Sequence, residues 1–345
     1  MKIAELLKKL IETGVADGAF PSAVAAVGKR GETLARACAG RLYAPDGPAA
    51  DFGTRYDMAS LTKILAPTML ALLAVERGAL TPLDTVGRFL DAPEDKRDIT
   101  VLQLMTHTGG FCPHFDLRAE ASGPKDALAA ILRHPLEGMP GDMPRYSCMG
   151  YIALGKMLES LYGEPLDALA KRDVFGPLGM AHTGYLPEGG NIAATEVDPE
   201  TGQALVGVVH DENARFLGGV SANAGVFSDI GDMARFAAML AQGGGGFLSP
   251  ATLRFATQNR TPGFNQHRGL GFQLGGTEGC FLGELLPPES FGHTGFTGTS
   301  LAVDLATGFW AVLLTNRVNP TRENLKVLRF RRAFHNALYA ASARE

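Results

Sequence analysis

TSLAVDLATGFWAVLLT, residues 299–315, decides the fold. Two β-compatible runs, TSLAVD (299–304) and GFWAVLLT (308–315), flank the turn Leu305-Ala306-Thr307 and read as a hairpin near the end of the chain. The beginning mirrors it, with SAVAAVG (22–28) and TLARACAGR (33–41) around Lys29-Arg30-Gly31. Isolated two-stranded ribbons are marginal in water, so neither hairpin is expected to stand alone. The economical solution is one antiparallel sheet built from both chain ends. One face of it is covered by two terminal helices, an amphipathic one in MKIAELLKKLIETGVADGAF and a basic one from Asn324 to about Ala341.

Between the ends the periodicity is helical over Ser60–Arg77, Ile99–Thr106, Lys125–Arg133, Met149–Tyr162, Pro165–Phe175, Ile230–Gln242 and Pro250–Gln258. Pro67 falls inside the first of these, which predicts an interruption there. The reading is an α+β fold forming a single catalytic unit over 1–345. Its sheet-containing part covers approximately 1–57 plus 260–345, and a mainly helical part is inserted at approximately 58–259.

The chain has 345 residues, of which 46% are hydrophobic and 20% charged, enough for a sizeable core. A net charge of -4, with both signs mixed along the chain, argues against nucleic acid as a partner. No run approaches the roughly 20 apolar residues of a bilayer span. The amphipathic start does not resemble a signal peptide. The expected setting is therefore the cytoplasm, or the periplasm if a leader has been removed, with no membrane partner. Cys38, Cys112, Cys148 and Cys280 are far apart and are expected as mostly buried thiols; neither they nor the eight histidines show metal-ligand spacing, so no metal is expected. Oligomeric state is left open.

Three segments can carry chemistry. Ser60 and Lys63 stand at i and i+3 at the start of an apolar helical run, which puts hydroxyl and amine on one face. For the lysine to serve as base, its pKa must fall from about 10.4 towards 7 through burial. The bland alternative is an N-cap serine beside a solvated lysine. Tyr146, in Arg145-Tyr146-Ser147-Cys148, lies at a loop-to-helix junction where a phenol can relay protons if a lysine ammonium stabilises its phenolate. A packing tyrosine is the plainer reading. Phe291-Gly292-His293-Thr294-Gly295-Phe296-Thr297-Gly298 runs into the first C-terminal strand. Its small residues allow an edge strand to meet an extended substrate and lend an N–H to an oxyanion.

In this order and at these separations, the segments resemble the three signatures of the serine β-lactamase and penicillin-binding-protein superfamily, in particular its class C β-lactamase and esterase-like branch. Ser60 to Lys63 matches Ser-x-x-Lys, Tyr146 to Cys148 matches Tyr-x-Asn, and His293-Thr294-Gly295 matches Lys-Thr-Gly or His-Thr-Gly. ITVLQLMTHTGGF (99–111), VFGPLGM (174–180) and VVHDENARFLGGVSANAGVFS (208–228) add to the likeness.

The resemblance implies a β-lactamase/DD-peptidase-like fold with the cleft between sheet and helical region, and Ser60 as acylated nucleophile. Backbone N–H groups of Ser60 and Phe296 would hold the oxyanion, Lys63 and Tyr146 would share the proton traffic, and His293 would line the substrate's carboxylate or leaving-group side. It implies no cofactor. Cys148 stands where the family has asparagine, and a thiol is a weak donor in place of an amide. His293 stands where many relatives have lysine, and is expected to be largely neutral at pH 7. Both changes loosen the demand for a peptide-like acid, so the expected partner is a small-molecule acyl substrate, an ester or small amide. A carboxylesterase, a D-amino-acid peptidase and a β-lactamase-like enzyme share this machinery. An acyltransferase, or a non-catalytic module on the same fold binding a peptidoglycan fragment or another ligand, remains an alternative. His107 is expected to support a loop, and Asp211 and Glu212 to be solvated or to pin one.

Overall fold

The computed structural model describes residues 1–199 and 201–344. The two terminal hairpins form as strands β1 (Ser22–Lys29) with β2 (Glu32–Gly40), and β8 (Ser300–Asp304) with β9 (Phe309–Thr315). The short strands β3 (Tyr56–Asp57), β4 (Gly184–Tyr185), β5 (Val226–Ser228), β6 (Gln273–Leu274) and β7 (Phe291–Thr294) complete the set. The main sheet has six strands in the order β2-β1-β9-β8-β7-β6, all neighbours antiparallel. Both chain ends thus meet in one sheet, joined where Ala26 pairs with Val312. The β1–β2 register shifts between Val27 and Gly28, and the missing side chain of Gly28 leaves room for the Trp310 indole, since a Cβ there would stand 2.2 Å from that ring.

The period-2 alternation sorts the strand residues between two cores. Ala23, Ala25, Val27, Ala302, Ala311 and Leu313 pack with Leu7 and Ile11 of the first helix, Ile3–Ala16, and with Phe334 and Leu338 of the last, Lys326–Ser342. Val24, Ala26, Leu301, Val303, Trp310 and Val312 face the inserted region, beginning with Ile230, Met233 and Phe236 of the helix Ile230–Ala241. At about 25 cal/mol per Å² of apolar surface removed from water, these two layers are the chief source of stability.

The expected helical segments form, most with shorter bounds, while Cys148–Tyr162 begins one residue early. The apolar run after Ser60 breaks in two, Thr62–Leu65 and Pro67–Glu76, because Pro67 has no N–H to continue the ladder and Ala66 leaves helical backbone (φ -118°, ψ -80°). Ala59–Glu76 has the length and hydropathy of a short membrane span, yet 83% of it is buried within the molecule. One feature was not anticipated, a second sheet in the order β3-β5-β4. It ties the segment before Ser60 to residues more than 160 positions later.

The exposed edge expected around His293 is partly covered. Gln273 and Leu274 of β6 pair with Gly292 and Phe291, so only the His293–Phe296 end of that side lacks a strand neighbour among the described residues.

Candidate active site

Ser60 emerges from a strained entry. Ala59, immediately before it, has φ +46°, a left-handed conformation that side chains resist. Asp57 holds the turn: its buried carboxylate accepts from the N–H of Ala59 and of His210, each at 2.7 Å. Thr62 ties the following turn back to β5 by accepting from the Val226 N–H at 3.1 Å.

One helical turn onward, the Lys63 side chain is fully buried and lies on the Ser60 face. Its Nζ is 3.1 Å from Ser60 Oγ, 3.0 Å from the carbonyl oxygen of Asn223 and 3.6 Å from Cys148 Sγ. Three N–H bonds thus meet three acceptors, and among the described residues no carboxylate pairs with it. Burial pulls the ammonium down, but Cys148 and Tyr146 beside it act in the opposite sense, and the net direction is upward. This direction is opposite to the fall expected of a lysine base. Burial raises the Cys148 thiol.

Tyr146 is delivered by a rigid junction. Ser147 caps the helix Cys148–Tyr162, its Oγ accepting from Gly150 at 3.0 Å and donating to the Cys112 carbonyl at 2.7 Å. His107 braces the other side. Its Nδ1 accepts from the Ser147 N–H at 3.1 Å, its carbonyl accepts from Arg145 at 2.7 Å, and its ring lies 4.4 Å from the Tyr146 ring. Its role is the expected loop support, and burial followed by Arg268 and Lys63 keeps it neutral. Two cations stand against the Tyr146 ring, Lys63 at 4.9 Å and the buried Arg268 at 5.4 Å from its centroid.

The third segment is drawn in close. Thr297 Oγ1 donates to the Asp57 carbonyl at 2.7 Å and Thr299 Oγ1 to the Met58 carbonyl at 3.2 Å, so the β7–β8 turn lies against the entry to Ser60. Gly295 is required here, since a Cβ would come within 2.5 Å of the Met58 oxygen. Neither the Ser60 nor the Phe296 N–H meets an acceptor among the described residues.

His293 lies within 6.0 Å of Tyr146, centroid to centroid, and is only 3% exposed. Its Nδ1 donates to the Thr294 carbonyl at 2.8 Å, and burial, with Lys63 and Arg268 adding, keeps the ring neutral.

Ser60, Lys63, Tyr146, Cys148, His293 and Gly295 therefore lie close together. Asp57, Asn223, Arg268, Thr297 and Thr299 join them without having been singled out. Asn223, Thr297 and Thr299 lay in quoted stretches, but a carbonyl acceptor such as that of Asn223 carries no side-chain signal. Asp211 caps Glu212–Phe216 and Glu212 pairs with Arg322 at 2.6 Å, both pinning a loop. All four cysteines are free thiols, two of them buried. His182, Asp229 and Asp232 offer three grouped ligand atoms, but these are already engaged with one another and with Thr183 and Arg235.

A serine hydroxyl bonded to a buried lysine, where an antiparallel sheet meets an inserted helical region, is the arrangement of a serine hydrolase. The chain belongs to the beta-lactamase family, whose model matches residues 7–335. An Escherichia coli K12 protein named "Putative D-alanyl-D-alanine carboxypeptidase" is 32% identical over 306 residues, covering 77% of this chain and 69% of its own. Among solved structures, EstCE1, titled a hydrolase with promiscuous acyltransferase activity, superposes with a TM-score of 0.80 at 21% identity over 98% of both chains. A penicillin-binding-protein homologue from Caulobacter crescentus gives 0.79 at 20% identity, covering 99% of this chain and 98% of its own. At such identities the two structures establish the fold.

Proposed function

We propose that the protein hydrolyses an ester or small amide through a covalent acyl-enzyme on Ser60. The observation that carries this reading is the Lys63 ammonium, buried without a carboxylate and bonded to Ser60 Oγ at 3.1 Å. A buried cation without a counter-ion is costly, and a place for transient negative charge offsets that cost.

In the first half-reaction Ser60 Oγ bonds to the acyl carbon and its proton passes to the Tyr146 oxygen, the Lys63–Tyr146 pair entering the step one proton short of its full complement. The carbonyl oxygen takes up negative charge facing the Ser60 and Phe296 N–H groups. Collapse breaks the bond to the leaving alcohol or amine, which receives the proton from Tyr146. In the second half water bonds to the acyl carbon, gives its proton to Tyr146, and Ser60 departs with that proton restored. Cys148 in place of an amide donor, and a neutral, buried His293, favour esters over peptide-like acids.

The test is intact-protein mass spectrometry after incubation with a chromogenic acyl ester, a fluorophosphonate and a penicillin, on wild type and Ser60→Ala. A Ser60-dependent adduct, with ester turnover exceeding penicillin turnover, is expected. Folded protein that forms no adduct with any probe would overturn the reading in favour of a binding module.

A further inference from the structure

Two arginines grip the backbone on either side of the Phe296 N–H. Arg331, on the helix Lys326–Ser342, is 5% exposed and donates from Nη2 to the Gly295 carbonyl at 3.3 Å. Arg317, just beyond β9, donates from Nε to the Phe296 carbonyl at 2.7 Å, its guanidinium carbon 4.3 Å from the centre of the Phe296 ring. Neither forms an ion pair with a carboxylate among the described residues.

The Gly295 carbonyl and the Phe296 N–H belong to one peptide unit. Resonance couples its oxygen and nitrogen, so a cation at the oxygen draws density from the nitrogen and makes the N–H a stronger donor. In a water-excluded position the effect is larger than in solvent. Packing the last helix does not call for such a cation: an apolar side chain of similar volume would do so without the cost of burying an unpaired charge. Burial, and then Arg317, lower Arg331 to about 9, so it still carries its charge at neutral pH.

We infer that Arg331 is a positioning residue for the acyl-transfer reaction: from behind the β7–β8 turn it polarises the Gly295–Phe296 peptide, while Arg317 fixes the next carbonyl, so that the Phe296 N–H meets the oxyanion. The inference rests on the Ser60 reading given above.

The test compares wild type with Arg331→Lys, Arg331→Gln and Arg331→Met, using turnover of a chromogenic ester, inhibition by an alkylboronic acid whose tetrahedral adduct places an oxygen in the oxyanion position, and thermal unfolding. Arg331→Met is expected to lower kcat roughly 10-fold, less than losing an oxyanion donor outright, and to weaken the boronic acid by a similar factor with KM little changed. Arg331→Lys should recover most of both. Should the methionine variant not fold, the lysine and glutamine variants carry the comparison, the former near wild type and the latter reduced. Wild-type kcat and boronate affinity in the uncharged variants, or equal losses in the lysine variant, would overturn the inference and leave Ser60 catalysis standing. Turnover that survives Ser60→Ala would overturn both.

Discussion

The hydroxyl of Thr297 donates to the carbonyl of Asp57 at 2.7 Å, across 240 positions of sequence. This bond, with that of Thr299 to Met58, fixes the spacing between the two proposed oxyanion donors. Replacing Thr297 with valine keeps the shape but leaves the buried Asp57 carbonyl without this donor, a cost of roughly 1–3 kcal/mol. Denaturant unfolding should show that loss, ester kcat should fall more than KM rises, and Thr297→Ser should restore most of both. Unchanged turnover in the valine variant would mean that the bond is structural alone.

Tyr146→Phe removes the phenol and leaves the ring that His107 and the two cations face. Loss of a positioned acid–base group lowers turnover by roughly 10²–10⁴. Circular dichroism should stay native and the mass adduct with fluorophosphonate should form far more slowly. A rate within a factor of a few of wild type would remove Tyr146 from the proton path.

Cys148→Asn tests what the thiol costs in recognition. An amide in this position, 3.6 Å from the lysine, restores two good donors towards an acylamino group. Penicillin acylation relative to ester acylation is expected to rise roughly 10-fold, the effect of about one well-formed hydrogen bond. Stopped-flow acylation rates for the two substrates decide it, and an unchanged ratio would place the ester preference elsewhere.

Acid should destabilise the fold through its buried histidines. Burial, aided by Arg331, lowers His335 from 6.5 to about 3, and His107 and His293 move the same way. The folded chain refuses protons that the unfolded chain accepts, so stability is fully present above about pH 6.5 and is lost progressively as pH falls towards 3. Melting temperatures between pH 7.5 and 4 should decline, and His335→Gln should flatten part of that slope. A slope unaltered by the substitution would show that other groups govern acid unfolding.

The sequence by itself determined the two hairpins, the helical insertion between them, the break at Pro67 and the Ser60–Lys63 pair, because alternation, helical period and i,i+3 spacing are local properties of the chain. The likeness of three short segments to known signatures brought Tyr146 and His293 to the same site. Tertiary structure alone decided the rest. The second sheet rests on strands of two or three residues, too short for any periodicity to show. The Lys63 acceptor at Asn223 and the Arg331 grip on Gly295 use backbone carbonyls, which every residue possesses and no sequence marks. The shifts of Lys63 and His293 follow from burial and from neighbours scattered across the chain, since an ionisation equilibrium depends on surroundings that exist only after folding.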